Sequence, residues 1–120
     1  MQGMTAVAKD YQEITRDISE FTRELGKLVP DAMKGFYGLS KGASADGQLD
    51  KKTKEMIALA IGVTQHCDGC IGFHAKALKE LGATREEVAE VMAMCVYMGG
   101  GPALMYAADA LRAYDQFSKT

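Results

Sequence analysis

Two cysteines separated by two residues, Cys67 and Cys70, offer the most reactive chemistry in this 120-residue sequence. Such a pair can close a disulfide with little backbone movement, so it can cycle between dithiol and disulfide. A helix is predicted to begin at the pair. The free N–H groups and partial positive charge of a helix start stabilise a thiolate, which is the nucleophilic form of cysteine. The pair therefore predicts thiol redox chemistry.

His74 and Glu55 are the groups best placed to move protons for these thiols. His74 follows Cys70 by four residues, which puts both on one face of the same helix. Glu55 lies on the preceding helix, and a tight antiparallel hairpin would let it meet His74, the partner that a buried carboxylate needs. An imidazole can take a thiol proton or deliver one to a leaving oxygen. The helix start favours Cys67 as the nucleophile and the histidine favours Cys70, so the spacing alone leaves both open.

Other uses of the same residues stay open. The cysteines could be buried structural thiols, because free cysteine behaves as a small hydrophobic residue. Zinc binding is the more specific alternative, since Cys67, Cys70, His74 and Glu55 carry suitable ligand atoms. Structural zinc usually draws its ligands from two separated segments, whereas three of these four lie within one short stretch. We therefore predict neither a resident metal nor another cofactor.

Composition predicts one folded domain over residues 1–120, with 48% hydrophobic and 25% charged residues. A chain of this length buries enough surface to fold without disulfides or metals. The net charge of −2 and the absence of a Lys/Arg cluster argue against nucleic-acid or membrane-surface binding. Residues 1–5 lack the pattern of a secretory signal, and the uncharged run 56–67 is too short to span a bilayer. Three cysteines, an odd count, fit a reducing cytoplasm.

Hydrophobic periodicity predicts an all-α fold of about six helices. Apolar residues spaced by four and three from Val7 to Leu28 give the first helix an amphipathic stripe, which packs on another helix or subunit. Pro30 opens a second helix, followed by a loop over residues 40–48. Its predicted buried face consists of Met33, Phe36, Tyr37 and Leu39.

Asp50 is the predicted N-cap of a third helix reaching about Gln65, which is apolar all round after Glu55 and therefore central. The fourth helix starts at the cysteines and ends at Leu81, where Gly82 takes a left-handed conformation.

Thr84 and Glu87 form a capping box that opens a fifth helix, and the glycines at 99–101 end it. Pro102 then starts a sixth. The residues expected to pack these two helices are Val88, Val91, Met92, Cys95, Met98, Leu104, Met105, Ala108, Leu111 and Tyr114.

Taken together, Glu55, the Cys67–Cys70 pair and His74 in a small helical chain resemble the alkylhydroperoxidase D-like proteins of the carboxymuconolactone decarboxylase superfamily. The resemblance covers about residues 50–114 and includes the glycine break. It implies a helical subunit with a central antiparallel hairpin that carries the cysteines, associating into trimers or hexamers. The decarboxylases of the superfamily do not use a cysteine pair, so the chain looks unlike a lactone decarboxylase.

The resemblance also implies an activity, that of a thiol peroxidase or disulfide reductase acting on hydroperoxides. In the peroxidase members the second cysteine attacks and the first resolves, which assigns these roles to Cys70 and Cys67, with Glu55 and His74 relaying protons. The implied reductant is a lipoyl- or thioredoxin-type dithiol protein. The family's relay also has a histidine between the cysteines, where this chain has Gly69. A disulfide carrier or redox sensor is the alternative use of the same pair.

Overall fold

Five α-helices make up the fold in a computed structural model that describes residues 8–119. No strand occurs within this described range, which confirms the predicted all-α class. Two expectations, Val7 in the apolar stripe and the missing signal at residues 1–5, lie outside the described residues. The helices are α1 Tyr11–Leu28, α2 Pro30–Ser44, α3 Lys51–Thr64, α4 Asp68–Glu80 and α5 Arg85–Ser118.

Local capping determines where the helices that carry the site begin and end. Asp50 accepts a hydrogen bond from the Thr53 N–H at 2.8 Å, which confirms it as the N-cap of α3. Thr84 and Glu87 form the predicted reciprocal capping box at the start of α5. Gly82 follows α4 with φ 83°, the left-handed conformation expected of a glycine there.

The second helix is longer and less buried than the sequence predicted. Helix α2 continues through Ser44, so the loop predicted over residues 40–48 begins later than expected and residues 40–44 are helical. None of its residues is buried, which corrects the predicted buried face: Phe36 and Leu39 are 59% and 69% exposed. The periodicity identified a helix with an apolar side, but it could not say that this side lacks a cover within the same chain.

A kink at Gly100 replaces the predicted boundary between a fifth and a sixth helix. Gly100 has φ 69° and ψ −152°, outside the helical region, and it divides α5 into two helical arms. Pro102 follows in the first turn of the distal arm, where its missing N–H costs little. Residues 8–119 therefore form five helices, and the predicted break is a kink. By length and composition alone, α5 is also long and apolar enough to cross a membrane.

The core lies where α3, α4 and α5 pack together. Leu59, Ile71 and Val88 are completely buried, and each comes from a different one of these helices. On the distal arm of α5 the buried positions are mostly alanines, which lets the helices approach closely. This corrects part of the predicted packing side, since Leu104, Met105 and Ala108 are exposed, whereas Tyr114 is buried as predicted. The buried residues of that arm are Ala103, Ala107, Ala110, Ala113, Tyr114 and Phe117.

Helix α1 packs on this core only through its first half. Tyr11 is completely buried, whereas Phe21 and Leu28, farther along the same stripe, are 62% and 79% exposed. Helix α3 is also less enclosed than predicted, since Ile57 and Ile61 are about half exposed. The described part of the chain thus has a solvent-facing apolar surface on α1, α2 and α3.

Candidate active site

Cys67 and Cys70 form a disulfide at the start of α4, with their Cα atoms 5.3 Å apart. Cys67 is the N-cap residue, and its Sγ accepts a hydrogen bond from the Cys70 N–H at 3.2 Å. A tight turn from α3 sets this position: the Cys67 N–H donates to the Gly62 carbonyl at 2.9 Å, and His66 takes φ 56°. Both cysteines are half-buried, so solvent reaches the pair. The predicted position of the dithiol at a helix start is confirmed.

Glu55 and His74 contact each other across the α3–α4 hairpin. His74 Nδ1 and Glu55 Oε1 are 2.7 Å apart. Glu55 is only 7% exposed, while a third of the His74 side chain reaches solvent. His74 lies one turn after Cys70, so the two residues share a face of α4. The carboxylate fixes the orientation of an imidazole that can pass protons to or from a thiol on that face.

Two glycines allow neighbouring helices to approach the cysteines closely. A Cβ placed on Gly62 would lie 2.8 Å from the Cβ of Cys70, so α3 packs against this cysteine without room for a side chain. A Cβ on Gly69 would lie 2.8 Å from Cδ1 of Ile18 in α1. Helix α1 therefore covers Gly69 on one side.

A polar cluster that the sequence analysis missed surrounds Asp68, the first residue of α4. Lys9 Nζ donates to Asp68 Oδ1 and to Asp109 Oδ2, both at 2.9 Å, and Tyr11 Oη donates to the same Asp68 oxygen at 3.0 Å. Lys9 also lies 4.8 Å from the centre of the Tyr106 ring. No sequence signal could have found this cluster, because Lys9 and Asp109 are 100 residues apart.

The carboxylates of the cluster raise the pKa values of the two groups that donate to them, Lys9 and Tyr11. Partial burial alone would lower the pKa of Lys9, but its hydrogen bonds to Asp68 and Asp109 outweigh that effect and raise it. Burial, followed by the Asp109 charge and the hydrogen bond to Asp68, raises the pKa of Tyr11 far above its ordinary value. Lys9 therefore stays cationic and Tyr11 stays a hydrogen-bond donor at physiological pH.

The remaining cysteine and histidine lie apart from the Glu55–His74 pair. Cys95 is 3% exposed, and burial raises the pKa of its thiol. It lies in the core, as expected for a residue on the predicted packing side of this helix. His66 lies in the connection between α3 and α4, beside the cysteines. Its ring stacks on Tyr106 with 4.5 Å between ring centres.

An open groove of about 570 Å³ runs between α1, α4 and the end of α5. Arg16, Arg23 and Lys76 give it a basic lining, and Phe73, which directly precedes His74, contributes an aromatic wall. The other lining residues are Gln12, Thr15, Ser19 and Phe117.

Residues 30–113 match the model of the carboxymuconolactone decarboxylase family. The chain belongs to this family. The resemblance drawn from the cysteine, histidine and glutamate spacing is thereby confirmed at the level of the superfamily. Among the described residues of this family member, no three His, Cys, Asp or Glu side chains are grouped so as to hold a metal ion.

Relatives of known sequence include proteins of unassigned role and an alkyl hydroperoxide reductase. An uncharacterized protein of Cupriavidus necator is 44% identical over 101 residues, covering 82% of this chain and 89% of that protein. The alkyl hydroperoxide reductase AhpD of Mycobacteroides abscessus is 32% identical over 63 residues, covering 52% of this chain and 36% of that protein.

Solved structures of the family share the fold. A carboxymuconolactone decarboxylase family protein from Legionella pneumophila superposes with a TM-score of 0.88 at 53% identity, covering 90% of this chain and 96% of that one. A family protein from Thermotoga maritima gives a TM-score of 0.75 at 27% identity, covering 86% and 91%. The family fold therefore extends beyond residues 30–113 to most of the chain.

Proposed function

We propose that this family member is a thiol peroxidase that reduces hydroperoxides through a Cys67–Cys70 dithiol–disulfide cycle. The observation that carries the proposal is the Glu55–His74 contact one turn from a half-buried cysteine pair at a helix start. Two relatives add support: the Mycobacteroides abscessus alkyl hydroperoxide reductase, and the Thermotoga maritima protein, for which a role in the antioxidative response has been suggested.

Cys70 is the proposed nucleophile because it shares a helix face with His74. Its thiolate attacks the terminal oxygen of the hydroperoxide, forms Cys70–SOH and breaks the O–O bond. The departing alkoxide takes a proton from the His74 imidazolium, which Glu55 stabilises, and leaves as an alcohol.

Cys67 then attacks Cys70 Sγ, the S–O bond breaks, and hydroxide leaves as water after gaining the Cys67 proton. This forms the disulfide and completes the two-electron reduction of the peroxide. A lipoyl- or thioredoxin-type dithiol returns two electrons and two protons to the pair. We place the cycle in the cytoplasm, where such dithiols are kept reduced.

Peroxide consumption by cysteine variants tests the proposal. With dithiothreitol as reductant, we expect Cys70→Ser to abolish turnover. Cys67→Ser, reduced beforehand and freed of reductant, should consume one equivalent of peroxide, leaving a sulfenic acid that dimedone traps. Cys95→Ser is the matched control and should keep full activity. Wild-type turnover in Cys70→Ser, or none in the wild type, would refute the mechanism. Elemental analysis of the same samples tests the zinc alternative.

A disulfide carrier is the second candidate, favoured by the closed Cys67–Cys70 disulfide itself. A carrier exchanges electrons with another dithiol and needs no peroxide. Rapid oxidation of the reduced protein by a lipoyl or thioredoxin-type disulfide, with slow oxidation by hydroperoxides, would favour the carrier over the peroxidase.

We also propose that the subunit assembles into a homo-oligomer, a trimer or hexamer, through its exposed apolar surface. Phe36 and Leu39 on α2 and Ile61 on α3 are at least half exposed, which is costly for large apolar side chains clustered on a single chain. Sedimentation equilibrium of the wild type tests this, and a monomer at micromolar concentration contradicts it.

A further inference from the structure

We propose that Lys9 is a positioning residue for the dithiol: by holding and neutralising Asp68 between the cysteines, it makes the Cys67–Cys70 disulfide easier to reduce. The inference rests on redox cycling of the pair, as in the proposed function, but it does not require peroxide as the oxidant.

Asp68 is an unfavourable neighbour for a thiolate. It directly follows Cys67 and occupies the first turn of α4, where its carboxylate adds negative charge at the site that would otherwise favour an anionic sulfur. Like charges disfavour each other's ionised forms, so an uncompensated Asp68 opposes the reduced, partly ionised dithiol and favours the neutral disulfide.

Lys9 removes most of this penalty. Its ammonium donates to Asp68 Oδ1 and Asp109 Oδ2 at 2.9 Å each, and Asp109 also pairs with Arg112 at 3.7 Å. The Tyr11 hydroxyl donates to the same Asp68 oxygen, which draws the carboxylate towards the start of α1. Tyr106 lies beneath the ammonium and stacks on His66, the residue before Cys67. The segment before α1 is thereby tied to the turn that presents the cysteines.

Counting charges gives the direction of each change. With Lys9 present, the cluster of Lys9, Asp68, Asp109 and Arg112 carries no net charge. Removing Lys9 leaves one net negative charge, while removing the Asp68 charge leaves one net positive charge. Reduction adds two electrons and two protons to the pair, and partial ionisation of a thiol then stabilises the reduced form. Negative charge nearby opposes that ionisation. Lys9→Met should therefore disfavour reduction, and Asp68→Asn should favour it.

The test is the redox equilibrium of the full-length protein in dithiothreitol buffers at about pH 8, where an ordinary thiol is partly ionised. Alkylation and mass spectrometry give the reduced fraction. We expect Lys9→Met to lower the equilibrium constant for reduction roughly three- to tenfold, about 15–30 mV, and Asp68→Asn to shift it oppositely. Adding Asp68→Asn to Lys9→Met should reverse most of the Lys9→Met shift, and Lys9→Arg should restore the wild-type value.

Lys79→Met is the matched control, since it removes an exposed lysine from the last turn of α4, the end of the helix farthest from the cysteines, and should leave the equilibrium unchanged. Equal equilibrium constants for wild type, Lys9→Met and Asp68→Asn would overturn the inference while leaving the proposed function standing. A wild-type pair that does not exchange with dithiothreitol would overturn both. Asp68→Asn keeps the test decisive if Lys9→Met folds poorly, because its shift has the opposite sign.

Discussion

Glu55 and His74 are joined by a 2.7 Å contact between Oε1 and Nδ1, although they lie on different helices. The contact joins α3 to α4 one turn beyond Cys70 and gives a carboxylate that is 7% exposed a polar partner. Because the acceptor is nearly enclosed, the ring is held in one orientation, and its other nitrogen, Nε2, is left to exchange protons.

Replacing Glu55 by glutamine tests whether its charge contributes to turnover. The amide keeps the size of the side chain but cannot stabilise a protonated imidazole. We expect peroxide turnover to fall about 100-fold, within the range of general acid–base effects. Steady-state kinetics with dithiothreitol measures it. Glu90→Gln, an exposed change on α5, is the control, and equal rates for both variants would exclude a role for the Glu55 charge.

Adding a methyl group at Gly62 should disturb the packing behind Cys70. A Cβ there meets the Cys70 Cβ at 2.8 Å and backbone atoms of residues 70 and 71 at 3.6 Å, none of which can rotate away. We expect Gly62→Ala to lower the free energy of unfolding by about 1–3 kcal/mol in urea titrations. Gly26→Ala, in a helix with open space around it, should instead raise stability by about 0.5–1 kcal/mol. If Gly62→Ala raised stability as Gly26→Ala is expected to do, the close approach of α3 to Cys70 would be contradicted.

Introducing a histidine between the cysteines should be limited by α1. A side chain at Gly69 collides with Cδ1 of Ile18, so Gly69→His should cost about 1–3 kcal/mol of stability. Shortening the neighbour in Gly69→His/Ile18→Ala should recover part of that loss, giving a non-additive double-mutant cycle. Strictly additive free energies of unfolding would mean that the two positions do not compete for space.

Cys95 should react far more slowly than the other two cysteines. Burial raises the pKa of its thiol, so at any pH a smaller fraction is thiolate than in an exposed cysteine. In the reduced protein we expect two fast equivalents of iodoacetamide labelling and a third slow one whose rate keeps rising at higher pH. Labelling in denaturant, where all three should react alike, is the control. Three equally fast equivalents in the folded protein would refute the assignment.

Local signals allowed much of the fold to be predicted. Asp50, Thr84 and Gly82 act through neighbours within a few residues, so their roles as caps follow from sequence alone. The approach of Glu55 to His74 followed from the tight antiparallel hairpin predicted between their two helices. These are the parts of the structure in which the chain's connectivity leaves little freedom.

Contacts between distant segments could not be predicted. Nothing near Lys9 indicates that it binds Asp68 and Asp109, because the docking of α1 decides this. The buried face expected on α2 failed for a related reason. Periodicity reports which side of a helix is apolar, whereas its burial depends on a surface elsewhere in the chain or in another subunit.

The sulfur of Cys67 serves both as the helix cap of α4 and as half of the disulfide. Reduction breaks the covalent bond between the two sulfurs and leaves the hydrogen bond from the Cys70 N–H as the link between Cys67 Sγ and the first turn of α4. The Cys70 amide should therefore exchange its hydrogen faster after reduction, making the backbone itself a reporter of oxidation state.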